Sequence, residues 1–232
     1  MKIKNPNLQM IIESHINEWF IREKEKLERK KMKRPLILIS RQRGTGGLSV
    51  AERLSKRLGW PYYDKNIIKE IAVALGMDEK KLELLDERDR DTFEEFLNVF
   101  RRDPEISQDE YVGYLKRFMM TLGKVGSSIL VGRGADFILS SQDALRARLI
   151  GEPATRARFA AGKYGVSEKE AVKLVEKSDQ ERREFIRRYF NKDIDDPLNY
   201  DLVINTTSID LDGATELIIT AYKKKFPGML QI

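Results

Sequence analysis

Residues 36–59, LILISRQRGTGGLSVAERLSKRLG, constrain the fold more than any other stretch of the chain. Leu36 to Ile39 are an unbroken apolar run, the pattern of a strand covered on both faces in a parallel sheet. LSVAERLSKRLG then places its apolar residues at helical spacing and stops at Gly59. Gly44, Gly46 and Gly47 fill the turn between them. Such a turn relaxes the backbone and lets another group approach it closely. It leads straight into a helix N-terminus, whose first N–H groups have no partner inside the helix and whose dipole favours negative charge. The expectation is either an anion-binding turn or a bare tight turn.

Further strands and helices alternate along the chain and extend this unit into an α/β domain. PYYD reads as a short second strand, SSILVGRG as a buried third, LRARLIGEP as a fourth and YDLVINT as the last. The polar alternation of the fourth predicts that it is less completely buried. ATRARFAAGKYG, SEKEAVKLVEKSDQERREFIRRYF and LDGATELIITAYKKKF read as helices, and Ser167 with Glu170 forms a capping box at the start of the second. This order predicts a parallel sheet wrapped by helices. Residues 65–126 carry helical patterns alone and read as an insertion between the second and third strands. Residues 5–33 read as one helix, apolar at Leu8, Ile12, Ile16, Trp19, Phe20 and Leu27 and charged all round in its second half. Residues 1–34 are thus an appended helical extension. It either packs on its own domain or contacts a partner, a homodimer mate included.

Composition narrows the function classes. The 43 Lys and Arg against 37 Asp and Glu give a net charge of +6, which favours anionic ligands. The charges are mixed in sign, and no nucleic-acid-binding motif appears, so no nucleic-acid partner is expected. With no cysteine and one histidine, His15, neither a disulfide, a thiolate metal site nor a histidine cluster can form. No apolar run reaches the length of a membrane span, and the N-terminal residues lack a signal-peptide core. A soluble cytoplasmic protein without a membrane partner is expected.

The turn can be set against the phosphate-binding P-loop pattern GxxxxGK[ST], whose backbone N–H groups hold phosphate, whose lysine reaches the outer phosphates and whose hydroxyl binds Mg²⁺. With Gly46 as the glycine before the lysine, Gly47 stands at the lysine position and Arg41 at the opening glycine. Arg41 and Arg43 flank the turn and can supply the missing charge, arginine being a good bidentate phosphate ligand. Arg41 directly follows the strand and is the stronger candidate.

The ordered set ISRQRGTGGLSVAERLSKRLGWPYYDK, ILVGRGADFIL, DQERREFIRRYF and YDLVINTTSIDLDGATELI resembles the cytidylate kinase-like family of P-loop nucleoside monophosphate kinase relatives, over roughly residues 35–225. An SRxxGTGG loop with arginine and no lysine is similar to that branch. The resemblance implies a P-loop three-layer α/β/α fold with a central parallel sheet, the kinase-like domain spanning 35–232 and the insertion at 65–126 binding the acceptor. It implies that Gly44, Thr45, Gly46, Gly47, Leu48 and Ser49 hold the donor phosphates of ATP, with Ser49 beside Mg²⁺. Asp64 falls where the family carries an aspartate leading into the monophosphate site, although KNIIKEIA replaces the small-residue run that follows in the bacterial enzymes. Arg133 matches the arginine of a GRD motif that contacts the acceptor. Gly134 replaces its aspartate, and Asp136 lies two residues on as a substitute. Asp179 and Arg182 match the DxxR end of the family's arginine-rich lid.

The arginine cluster also has its own physical sense. Phosphoryl transfer needs cations around the moving group and exclusion of water. DQERREFIRRYF puts Arg182, Arg183, Arg187 and Arg188 within two turns, and Asp179, Arg183 and Arg187 at successive spacings of four on one helix face. The segment 179–192 is expected to close over the donor, with Arg41, Arg182, Arg183 and Arg187 as the catalytic cations. In the insertion, Arg101, Arg102 and Arg117, the last near Tyr111, Tyr114 and Phe118, are weaker candidates. The expected activity is transfer of the ATP γ-phosphoryl group to a nucleoside monophosphate, CMP or dCMP first. The alternatives are a phosphotransferase with another small acceptor, and a nucleotide-binding regulatory module with little turnover.

Overall fold

The computed structural model describes residues 35–64 and 108–230. The helix expected over 5–33, with His15, and the insertion up to residue 107, with Arg101 and Arg102, lie outside the described residues. In chain order the described elements are β1 Leu36–Arg41, α1 Gly47–Leu58, β2 Tyr62–Tyr63, α2 Gln108–Val125, β3 Ile129–Val131, α3 Ala135–Ile138, β4 Ala144–Ile150, α4 Pro153–Tyr164, α5 Glu168–Phe190, β5 Leu202–Asn205 and α6 Leu211–Lys225. The chain divides into two compact units, Met1–Lys33 with Lys65–Val125, and Arg34–Asp64 with Gly126–Ile232. Of the first, α2 is described: Val112, Leu115, Phe118, Met119 and Leu122 recur at helical spacing and are buried.

The second unit is a three-layer α/β/α fold. Its strands run parallel in the order β2-β3-β1-β4-β5. β1 is central because it alone is apolar on both faces over four successive residues. Leu36, Ile37, Leu38 and Ile39 are all fully buried, each contributing about 1.5–3 kcal/mol. Side chains alternate across the sheet, so register sorts them. Ile37 pairs with Ile129 and Leu145, and Ile39 with Val131 and Ala147. These residues form one apolar cluster with Val50, Ala51 and Leu54 of α1 and Ala214, Ile218 and Tyr222 of α6. Tyr222 meets Trp60 edge to face at 5.5 Å and donates its hydroxyl to the Pro35 carbonyl at 2.8 Å.

The opposite face of β1 pairs Leu38 with Arg146 and Ser40 with Arg148. Here the expectation for β4 fails. Its arginine alternation mimics a half-exposed strand, yet β4 lies between β1 and β5, and Arg148 is buried. Hydrogen bonds to Ser40, Tyr200 and Asp195 make that burial tolerable.

α4 and α5 form a helical hairpin whose seam is built from Ala157, Ala160, Ala171 and Val175. The expected capping box is present: Ser167 Oγ accepts from the Glu170 N–H at 3.3 Å, and the Glu170 carboxylate accepts from the Ser167 N–H at 3.0 Å. α5 runs unbroken for 23 residues and ends at Asn191, which turns into the left-handed region at φ 52°. From β1 the chain crosses to β2 and β3 on one side and later to β4 and β5 on the other. In such sheets the crevice beyond the carboxyl ends of the strands, where the order reverses, is the ligand site.

Candidate active site

The turn after β1 is a shaped cradle. Gly44 and Gly46 take φ 82° and 73°, and a Cβ on either would strike a neighbour: the Arg156 carbonyl at Gly44, the Leu211 side chain at Gly46. Thr45 is buried and donates its hydroxyl to the Gln42 carbonyl at 2.8 Å, so its side chain braces the turn. The Gln42 N–H goes to Leu149 and the Arg43 N–H to Asp179, and the first helical bond is from Val50 to Gly46 at 3.0 Å. Between them, among the described residues, the amide N–H groups of Gly44, Thr45, Gly46, Gly47, Leu48 and Ser49 have no acceptor. Six consecutive unpaired donors at a helix N-terminus are an arrangement that could receive an anion.

Arg41 leaves the end of β1 and crosses this turn. Its aliphatic part lies against Gly47, at the lysine position of the P-loop pattern, and its guanidinium lies against Gly132. Any side chain at either glycine would displace it. Gly132, Arg133 and Gly134 form a run of three left-handed residues at φ 76°, 59° and 72°. That conformation costs a non-glycine residue about 1–2 kcal/mol, so Arg133 is held in place under strain. Gly134 explains why the GRD aspartate is missing. A Cβ there would lie 2.7 Å from the Phe190 ring, which stacks on Phe137 at 5.9 Å.

Asp136 lies in the first turn of α3. It is buried, and its Oδ1 has no hydrogen-bond partner among the described residues. Burial pushes its carboxyl up to about 7, opposed by its own backbone N–H and the charges of Arg148, Arg146 and Arg41. Arg148 donates to Ser40 at 2.8 Å and to Asp195 at 2.5 Å. The Tyr200 hydroxyl donates to the Ile194 carbonyl at 2.7 Å and is pushed up to about 12 by burial and by the Asp136 charge. A layer of buried charge therefore backs the Arg41 side of the crevice.

The expected arginine segment divides. Asp179 is buried at the donor turn, and Arg182 donates to it and to the Arg41 carbonyl, each at 3.4 Å. Arg183 and Arg187 are exposed, Arg183 lying 3.6 Å from Asp195. The shared face inferred from spacings of four does not hold, because each such step turns the helix about 40°. Three further buried residues, Glu181, Phe185 and Ile186, lie within the segment. Asp64 is buried just past β2. Sequence reasoning missed Gln42, whose side chain accepts the Gly151 N–H at 3.0 Å, and Arg156, which pairs with Asp179. Each bonds a residue distant in the chain, so no local pattern marked it.

Ser49, in the first turn of α1, offers a hydroxyl without a partner among the described residues. No group of three acidic, histidine or cysteine side chains there could hold a metal ion. This donor set fits an Mg²⁺ that arrives on a nucleotide and keeps phosphate and water ligands, rather than one caged by protein.

Known proteins align with this arrangement over most of the chain. The cytidylate kinase of Thermococcus kodakarensis is 28% identical over 195 residues, covering 83% of this chain and 90% of that one. That of Archaeoglobus fulgidus is 26% identical over 194 residues, covering 82% and 95%. Among solved structures, an uncharacterized protein from Eubacterium ventriosum superposes with a TM-score of 0.62 at 23% identity, covering 82% of this chain and 99% of that one. A gluconokinase from Sinorhizobium meliloti superposes at 0.51 with 10% identity, covering 83% and 94%, a likeness of fold. The cytidylate kinase-like family model matches residues 36–208, and the chain belongs to that family.

Proposed function

We propose that the protein is a nucleotide kinase that transfers the γ-phosphoryl group of ATP to a nucleoside monophosphate, CMP or dCMP before the others. The observation that carries this reading is the run of six unpaired amides at residues 44–49, ending on a helix N-terminus. A triphosphate would satisfy those donors. Family membership and the cytidylate kinase relatives support the direction of transfer and the choice of acceptor.

In this reading the chain supplies position and charge rather than covalent chemistry. The amides of residues 44–49 receive the donor phosphates. Arg41 takes the lysine's part, since its side chain spans the donor turn and the turn after β3. Mg²⁺ bound with the nucleotide would neutralise charge on its phosphate oxygens, and Ser49 is the residue that offers it an oxygen. Arg133, fixed between two glycines, receives the acceptor, with Asp64 at the neighbouring strand end. Asp136 acts from behind, through the arginines it faces. Arg182 is the arginine of the 179–192 segment nearest the donor turn and carries the lid role. Arg183 and Arg187 are assigned to a closed state that excludes water.

A second reading, the same transfer to a different small acceptor, draws on Gly134. Phe190 occupies the space where the family's aspartate would project. ADP release measured with each nucleoside monophosphate in turn tests both. CMP and dCMP should accelerate it most. Acceleration by none of them, with ATP still bound, would remove nucleotide kinase activity and leave a small-acceptor kinase or a binding module.

A further inference from the structure

Asp179 sits at a junction that neither phosphate binding nor helix packing requires by itself. Its Oδ1 accepts the Arg43 N–H at 2.9 Å, and its Oδ2 accepts Arg156 Nη1 at 2.5 Å. Arg156 Nη1 also donates to the Arg43 carbonyl at 3.1 Å, and its Nε to the Gly151 carbonyl at 2.8 Å. Both polar groups of the Arg43 backbone are thus taken by this one ion pair. The next residue, Gly44, packs against the Arg156 backbone so closely that no Cβ fits. With Gly44 the run of free amides begins.

A buried ion pair is a poor device for stability, because desolvating two charges offsets most of their attraction. Asp179 and Arg156 are both nine-tenths buried. The α4–α5 seam already closes on Ala157, Ala160, Ala171 and Val175 without them. What the pair adds is the shape of the turn. It turns the Arg43 amide away from the crevice and fixes where the free amides start. It also aims the Arg43 side chain, whose guanidinium lies 4.7 Å over the Tyr164 ring at the end of α4, with Nε and Nη1 lacking a hydrogen-bond partner.

We infer that Asp179 and Arg156 are positioning residues for the donor turn, holding residues 41–44 so that the amides beyond them converge on phosphate, and joining that turn to the α4–α5 hairpin. This rests on the reading that residues 44–49 bind the donor phosphates.

Two measurements test it. The first needs no variant: residue-resolved amide hydrogen exchange on the full chain without nucleotide. The Arg43 amide should be protected while those of residues 44–49 exchange freely and slow only when ATP is added. An Arg43 amide exchanging as fast as its neighbours overturns the inference. The second compares Asp179→Asn, Arg156→Met, Arg156→Lys and the double variant Arg156→Met with Asp179→Asn. ATP and inorganic tripolyphosphate affinities should fall together by at least tenfold in Asp179→Asn and Arg156→Met, and less in Arg156→Lys. The KM for the acceptor should stay within twofold, and the double variant should bind no more weakly than the weaker single one. Parent-like ATP and tripolyphosphate binding in folded single variants, or equal rises in both KM values, would sink it. If the unaltered protein binds neither ATP nor tripolyphosphate, the donor-site reading falls first and takes this inference with it.

Discussion

The turns after β1 and β3 both lead from a strand end into a helix through glycines with positive φ, and they differ in what becomes of the N–H groups around those glycines. After β1 the glycines expose backbone: residues 44–49 present unpaired N–H groups. After β3 they make room for side chains: Arg41 lies on Gly132 and Phe190 on Gly134. The same residue type therefore leaves a row of N–H groups open in one turn and has them partly paired in the other, while making room for the protein's own groups in both. Glycine spacing by itself cannot tell these apart. In both turns a neighbouring group lies where a Cβ would go; what separates them is that the Gly132 and Ala135 N–H groups are taken by the Ile39 and Gly132 carbonyls, while those of residues 44–49 have no acceptor among the described residues.

Substitutions at the two turns should then fail differently. Gly46→Val puts a branched side chain at φ 73° and against Leu211. ATP affinity should fall by about two orders of magnitude or more while the protein stays folded, as judged by calorimetric binding beside a thermal melt. Unchanged affinity would mean that the amides are not the donor site. Gly132→Ala should leave ATP affinity within a few fold and lower kcat, because it displaces the Arg41 guanidinium. Arg41→Ala should match it, at about 2–4 kcal/mol of transition-state stabilisation, the range for one preorganised donor. The double variant should be no slower than either single one, and additive losses would show that Gly132 acts by some route other than Arg41. Arg133→Ala should raise the acceptor KM more than the ATP KM in steady-state kinetics. Equal rises would take Arg133 out of the acceptor site.

The mildest effect on turnover should come from Asp136→Asn, and it should depend on pH. Burial pushes the folded carboxyl up to about 7 from its ordinary carboxylate range, so the folded state binds its proton more tightly than the unfolded chain does. Its contribution to stability is fully present below the unfolded value and is lost as pH rises toward and through 7. Asparagine, which stays neutral, should raise Tm at pH 8 relative to the parent and change it little at pH 4. A Tm difference independent of pH would show that Asp136 is ionised in the folded protein throughout.

Much of the frame could be read from the chain. Leu36 to Ile39 could only be a doubly covered strand, and Ser167 with Glu170 marked the start of α5 to the residue. The strand–glycine–helix geometry of the turn after β1 was also legible, because strand, glycines and helix are contiguous. What surrounds it was not. Arg148 looked like the polar side of a half-exposed strand because strand order, which buries it, is absent from local pattern. Arg156 looked like an ordinary helix arginine, because its partner lies 23 positions away. Asp179 was noticed for its place among arginines, yet its main bonds run to Arg43 and Arg156, outside that group. Periodicity identifies the side of a helix that is wet or dry; it does not identify which distant backbone group meets a carboxylate on the dry side.

The length of α5 gives its middle an unusual mechanical position. Asp179 stands about 17 Å along the helix axis from Glu168, while beyond it Phe185 and Ile186 are buried and Phe190 packs on Phe137. The helix is thus tied at Asp179 to the turn after β1, with 11 residues on its Glu168 side and 11 on its Phe190 side. A tilt of about 10° about Asp179 carries the Ser167 end through about 3 Å, the length of a hydrogen bond. A tilt of that size starting at the turn after β1 would reach the far end of the hairpin as the gain or loss of one contact.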